Sequence, residues 1–154
     1  WTAIEGALAG LNLRYELVRI YQDGLPVCGH ELRIVRELAR AGSRNHRLLL
    51  AMHQRGATIM GTESAQLVVQ EYQLAQQSMA NAQPQGQPRA AEETVARSLL
   101  KRRDQFIAER INATLKPRET AIVFLGLLHS LRGMLAPDIE AAGLFSDLTG
   151  APLC

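Results

Sequence analysis

The chain has 154 residues, 47% of them hydrophobic and 21% charged, a composition typical of one globular domain. Its 17 basic and 15 acidic residues leave a formal net charge of +2, which gives no reason to expect a nucleic-acid partner. No apolar run approaches the roughly 20 residues that cross a bilayer, and there is neither a signal pattern nor a disulfide framework, so we expect a cytoplasmic protein without a membrane partner.

The apolar spacing predicts an alternation of helices and strands along the chain. In order, we expect a helix over residues 1–11, a strand over 15–21, helices over 29–41 and 43–56, a strand over 57–60, a helix from residue 63, a long helix over 91–115 and a strand over 121–125. Such an order is typical of an α/β domain with a mostly parallel sheet flanked by helices. The last strand has five apolar residues in a row, which favours burial on both faces.

Two features concern the extent of this domain. Residues 76–90 are rich in Gln, Ala and Pro, which predicts a flexible connector or mobile loop within a single domain over residues 1–154. The chain opens on Trp1 and enters a helical pattern at once, which favours an origin inside a longer protein, so that an N-terminal strand is expected to be missing.

Three polar residues each follow a predicted strand: Asp23, Glu63 and His129. The C-terminal ends of neighbouring parallel strands share one edge, so these side chains are expected to converge there. Two carboxylates and an imidazole can hold a divalent metal or act as acid and base. The alternatives are an Asp-Gly turn at Asp23, a helix N-terminus at Glu63 and a satisfied loop histidine at His129.

The long helix carries charges within its apolar stripe. At 100° per residue, Arg103 and Arg110 fall near the centre of the stripe and Asp104 at its edge. Either the arginine stems pack while their heads reach solvent, or a guanidinium meets a buried carboxylate or ligand. Cys28 follows the first strand and is either a nucleophile or, more commonly, a buried free cysteine.

The segment Arg103-Asp104-x-x-Ile-Ala-x-x-Ile111, a strand Ile-Val-Phe-Leu and Gly126-x-x-His129 resembles the C-terminal signature of the superfamily that contains the Tiki, TraB/GumN and erythromycin-esterase-like proteins. The segments at 21–26 and 61–63 resemble segments that recur in a poorly characterised bacterial branch of this superfamily. This resemblance implies an α/β core, two Gly-x-x-His motifs with an acidic residue, and in some members metal-dependent hydrolysis. This chain has one such motif, so the other is absent or lies before Trp1.

Two hypotheses follow. The first is a hydrolase-like domain for a small-molecule substrate, with His129, Glu63 and Arg103 as catalytic residues and with His129, Glu63 and Asp23 as ligands of a divalent metal. The second is a non-enzymatic small-anion-binding or regulatory domain, with homo-oligomers open in either case. The enzyme requires His129 and Glu63 within a few ångströms, whereas the binding domain requires arginines that face an open pocket.

Overall fold

The computed structural model describes residues 1–80 and 90–144. Within these ranges the elements are α1 (Thr2–Gly10), a 3-10 helix (Tyr15–Leu17), β1 (Val18–Pro26), α2 (Glu31–Arg40), α3 (Arg44–Gln54), β2 (Thr58–Glu63), α4 (Ala65–Ala80), α5 (Ala90–Thr114) and β3 (Thr120–Phe124). The expected α/β class is confirmed. The flexible segment expected near residues 76–90 is corrected at its start, because 76–80 continue α4; residues 81–89 lie outside the described residues.

The three strands form a parallel sheet in the order β2-β1-β3. The chain leaves β1 through α2 and α3 to reach β2, and returns through α4 and α5 to pair β3 with the other side of β1. The crevice between β1 and β3 is therefore the point at which the strand order reverses. In open parallel sheets, ligands bind at such a point, beyond the C-terminal ends of the strands.

β1 is the strand that is buried on both faces. It lies in the middle of the sheet, and its buried residues are Val18, Ile20, Tyr21, Gln22 and Leu25. The expectation that the 121–125 run fills this role is wrong, because β3 is an edge strand in the described sheet and its apolar side chains are only partly buried. An apolar run indicates that a strand is present, but it does not indicate where the strand lies in the sheet. That position depends on which strands pair over long distances along the chain.

Apolar layers cover both faces of the sheet. On one face Ile20 packs with Val35 of α2 and Leu49 of α3 in a core cluster. On the other face Tyr21 packs with Ile107 and Ile111 of α5. Consecutive residues of β1 thus point into opposite cores, as the alternation of side chains along a strand requires.

The C-terminal half of β1 is irregular. The Asp23-Gly24 pair was expected to end the strand in a turn, but β1 continues to Pro26, and its pairing with β2 shifts between Gln22 and Pro26. Gly24 has a φ of +77°, a conformation that glycine adopts without steric cost, so the pair forms a bulge. Bulges redirect side chains, and this one brings Asp23 to the β1/β3 crevice.

β2 also extends further than its apolar residues predict. Gly61-Thr62-Glu63 was expected to follow this strand but forms its last three residues. A Cβ on Gly61 would lie 2.6 Å from the Pro26 carbonyl oxygen, so glycine permits the close approach of β1 and β2 here. Glu63 is consequently the end of a strand, not the start of a helix, and its exposed fraction is 0%.

The helices begin and end close to where the sequence predicts. Ser43 caps α3, as expected, by accepting a hydrogen bond from the His46 backbone N–H. The 25-residue helix α5 is the longest of the described elements and supplies Arg103 and Asp104 to the site. In the described parts of the chain, no helix combines the length and apolar character needed to span a membrane.

Candidate functional site

The site is built on the sheet-facing side of α5. This side of α5 is buried at Leu99, Ile107, Ala108 and Ile111. The charged residues Arg103 and Asp104 lie on the same side. Both are buried, at 8% and 6% exposure. The sequence left open whether the Arg103 head reaches solvent or meets a buried carboxylate or ligand. In the structure its guanidinium meets carboxylates.

Arg103 makes five hydrogen-bond contacts, and all three nitrogens of its guanidinium take part. Two go to Glu63, from Nε at 3.1 Å and Nη2 at 2.9 Å. One goes from Nη2 to Asp23 Oδ1 at 2.9 Å, and Nη1 contacts both carboxylate oxygens of Glu71 at 2.8 Å. One guanidinium therefore joins the ends of β1 and β2 to α4, a geometry that lysine could not reproduce.

Asp23 connects this cluster to the loop after β3. Its Oδ1 accepts from Arg103, and its Oδ2 accepts the backbone N–H of Gly126 at 3.0 Å. The second bond crosses the β1/β3 crevice. With 19% of its side chain exposed, Asp23 marks the place where the site opens to solvent.

His129 lies between two carboxylates. Its Nδ1 is 2.6 Å from Oδ1 of Asp104, and its Nε2 is 3.4 Å from Oδ2 of Asp23. Asp104 is an acceptor when ionised, so Nδ1 carries the proton and Nε2 is left for the other side of the ring. The imidazole is only 5% exposed, and the backbone N–H of Ser130 also donates to Asp104.

Gly126 fits closely beneath the histidine. A Cβ at this position would lie 3.2 Å from Asp23 Oδ2 and 3.5 Å from His129 Cδ2. The His129 backbone N–H donates to the Gly126 carbonyl oxygen at 3.1 Å, which closes a four-residue turn. The glycine and the turn together hold the imidazole against Asp23 and Asp104.

Electrostatics at the site are dominated by negative charge. Burial raises the pKa of Glu63, and the adjacent Asp23 carboxyl adds to the rise, against the opposing effect of Arg103. Burial alone would lower the pKa of Arg103, but its hydrogen bond with Glu63 and the charges of the carboxylates raise it. Three carboxyl groups, those of Glu63, Asp23 and Glu71, thus contact one guanidinium that stays charged.

The structure brings the predicted residues together, although not in the predicted pairs. Asp23 lies next to His129, but the hydrogen bonds of Glu63 go to Arg103. The direct contact between His129 and Glu63 that the hydrolase hypothesis required is therefore not formed, and Asp104 and Asp23 are the carboxylates beside the imidazole. Asp104 is the partner that sequence analysis missed, although its place beside Arg103 on the apolar stripe was a signal. Glu71, half-exposed on α4, gave no such signal.

The three expected metal ligands, Glu63, Asp23 and His129, already have other partners. Both oxygens of Glu63 and one of Asp23 accept from Arg103, the other Asp23 oxygen accepts from Gly126, and His129 Nδ1 faces Asp104. Across residues 1–80 and 90–144, no three His, Cys, Asp or Glu side chains are grouped to hold a metal ion. As they are paired here, Glu63, Asp23 and His129 do not form a ligand set for a divalent metal.

Other features lie apart from this site. Cys28, expected to be buried if it was not a nucleophile, is exposed on the loop after β1, and its N–H donates to Glu31. A shallow depression between α4 and α5 contains none of the strand-end residues; its lining is Gln70, Gln73, Leu74, Val95, Ser98, Leu99 and Arg102. No family model, curated protein or solved structure matches the chain.

Proposed function

We propose that the end of the β1/β3 crevice is the acid–base centre of a hydrolase that acts on a small molecule. The observation that carries the proposal is the position of His129 between Asp104 and Asp23, with Nδ1 held at 2.6 Å and Nε2 without a hydrogen bond among the described residues. A histidine that a carboxylate orients through Nδ1 and that offers Nε2 to a reacting group is the geometry of a general base.

In this reaction a water molecule attacks the electrophilic centre of the substrate and gives its proton to Nε2 of His129. Asp104 accepts the Nδ1–H and stabilises the imidazolium, and Asp23, 3.4 Å from Nε2, adds a second negative charge beside it. The imidazolium then returns the proton to the leaving oxygen or nitrogen. The low exposure of the ring strengthens these charge interactions.

Arg103 and Glu63 are positioning residues in this proposal. Arg103 holds Asp23 at Oδ1, which leaves Oδ2 to accept the Gly126 N–H beside Nε2 of His129. Glu63 fixes the guanidinium from two sides. Stabilisation of an anionic transition state by Arg103, as expected from the sequence, lacks support because each nitrogen of the guanidinium already bonds to a carboxylate.

The small-anion-binding hypothesis has less support for the same reason. It requires a guanidinium that faces an open pocket, whereas Arg103 is 8% exposed and saturated. The resemblance to the Tiki, TraB/GumN and erythromycin-esterase-like superfamily agrees with hydrolysis and stays a prediction.

A substrate panel tests the proposal. Purified protein is treated with chelator, and the hydrolysis of esters, amides and phosphoesters is measured before and after addition of Zn²⁺ or Mn²⁺. We expect at least one class to be hydrolysed by the chelated protein. Failure to hydrolyse any class in either condition would contradict the hydrolase, and activity that depends on added metal would contradict the metal-free route.

A further inference from the structure

Two leucines form the tip of the turn that carries His129. The His129 N–H donates to the Gly126 carbonyl oxygen, so Leu127 and Leu128 occupy the two central positions of this turn. Gly, Pro, Asn, Asp and Ser dominate at such positions because their backbones or side chains favour turns. Local turn chemistry therefore does not explain the two leucines.

These leucines are also the most exposed large apolar residues in the described ranges. Leu127 is 104% exposed and Leu128 is 79% exposed, whereas the next value is 64% for Tyr72. Covering a leucine side chain removes apolar surface from water and so favours binding. A single exposed leucine is ordinary, but a consecutive pair in the turn that carries His129 offers an apolar contact surface beside the polar site.

The charges beside the turn restrict what can enter. Asp23, Glu63 and Glu71 contact one guanidinium, and each of its three nitrogens already bonds to a carboxylate. A fourth carboxylate, Asp104, lies against His129. A carboxylate or phosphate group would meet net negative charge within the range of unscreened interactions. An uncharged polar group next to an apolar chain matches both the acidic site and the exposed leucines.

We propose that Leu127 and Leu128 determine specificity, by packing against the apolar chain of a substrate with an uncharged carbonyl group, such as an acyl ester or amide. This inference rests on the proposed function for the reaction itself. The binding of the chain, however, can be measured without turnover.

The test uses 2-decanone, a neutral carbonyl compound that cannot be hydrolysed, beside 2-butanone and decanoate. Binding is measured by saturation-transfer difference NMR and isothermal titration calorimetry. We expect 2-decanone to bind the wild type more tightly than 2-butanone or decanoate does. Its affinity for the double variant Leu127→Ser/Leu128→Ser should be lower by about tenfold or more. The matched control is Val69→Ser/Val95→Ser, which removes exposed apolar residues of α4 and α5 and should bind like wild type.

Several outcomes would overturn this inference: no binding of 2-decanone to the wild type, equal binding by the leucine double variant, or decanoate binding as tight as 2-decanone. Light scattering supplies one more, because a wild-type dimer that the double variant abolishes would show that a second copy covers the leucines. If the ketone binds through the leucines but no ester or amide is hydrolysed, the specificity surface stands and the hydrolase fails.

Discussion

His129 and Asp104 lie 25 residues apart and meet at the end of the sheet, where the imidazole Nδ1 is 2.6 Å from the carboxylate Oδ1. The contact joins α5 to the loop after β3. Because it fixes the tautomer, it decides which ring nitrogen is offered to a substrate.

Replacement of Asp104 by Asn should therefore change the tautomer without removing the imidazole. The amide can donate to Nδ1, which moves the ring proton to Nε2 and removes the general base. We expect hydrolysis to fall by about 10²- to 10⁴-fold. Long-range ¹H–¹⁵N NMR of the His129 ring checks the tautomer directly, and a wild-type ring protonated at Nε2 would contradict the assignment.

Arg103 and Arg102 form a matched pair for stability. Arg103→Met leaves the buried Glu63 and the partly exposed Asp23 without a cation, and loss of one partner of a buried charge cluster costs about 3 to 5 kcal/mol. Arg102 is exposed and bonds only to Gln70 among the described residues, so Arg102→Met should change the free energy of unfolding by less than about 0.5 kcal/mol. Urea unfolding measures both, and equal effects would contradict the role of Arg103.

The stability of the domain should depend on the protonation of Glu63. Because its pKa is raised above the ordinary value of 4.5, the folded state binds more protons than the unfolded chain between these two values. The free energy of unfolding should therefore fall as the pH rises from about 4.5 through the raised pKa. This fall should disappear in Glu63→Gln. A decline with the same slope in both proteins would assign it to another group.

Gly126→Ala tests the close packing under the histidine. The added methyl group would lie 3.2 Å from Asp23 Oδ2 and 3.5 Å from His129 Cδ2, so the carboxylate or the ring must shift. We expect a loss of about 1 kcal/mol in the free energy of unfolding and a larger proportional loss of hydrolysis. Gly133→Ala is an unsuitable control because its φ of +70° adds backbone strain, whereas Gly6→Ala, in open space on α1, is a suitable one.

The sequence was most informative where local patterns decide the structure. The amphipathic pattern of α5, the cap at Ser43 and the position of Arg103 within the apolar stripe follow from spacing alone. The order of the strands does not, since it depends on which apolar runs pair over long distances. The expectation that residues 121–125 form a strand buried on both faces was for this reason wrong.

The same limit applies to the site. The prediction of a parallel sheet implied that polar residues converge at the strand ends. It did not imply which of these residues hydrogen-bond to each other. An Asp-Gly pair occurs in bulges as well as in turns. Asp23 was therefore expected at the correct edge of the sheet, but in a turn after β1 instead of a bulge within it. The bond between Asp104 and His129 depends on the rotation of α5 against the sheet, which no local pattern fixes to within a residue.

The most direct test is the rate of hydrolysis by His129→Gln on a substrate that the wild type hydrolyses, beside His30→Gln as the control. His30 is exposed and its side chain does not cap α2, so its loss should leave kcat/KM unchanged. With circular dichroism showing both variants folded, we predict a loss of about 10²-fold or more for His129→Gln. Wild-type activity in a folded His129→Gln protein would contradict the acid–base centre.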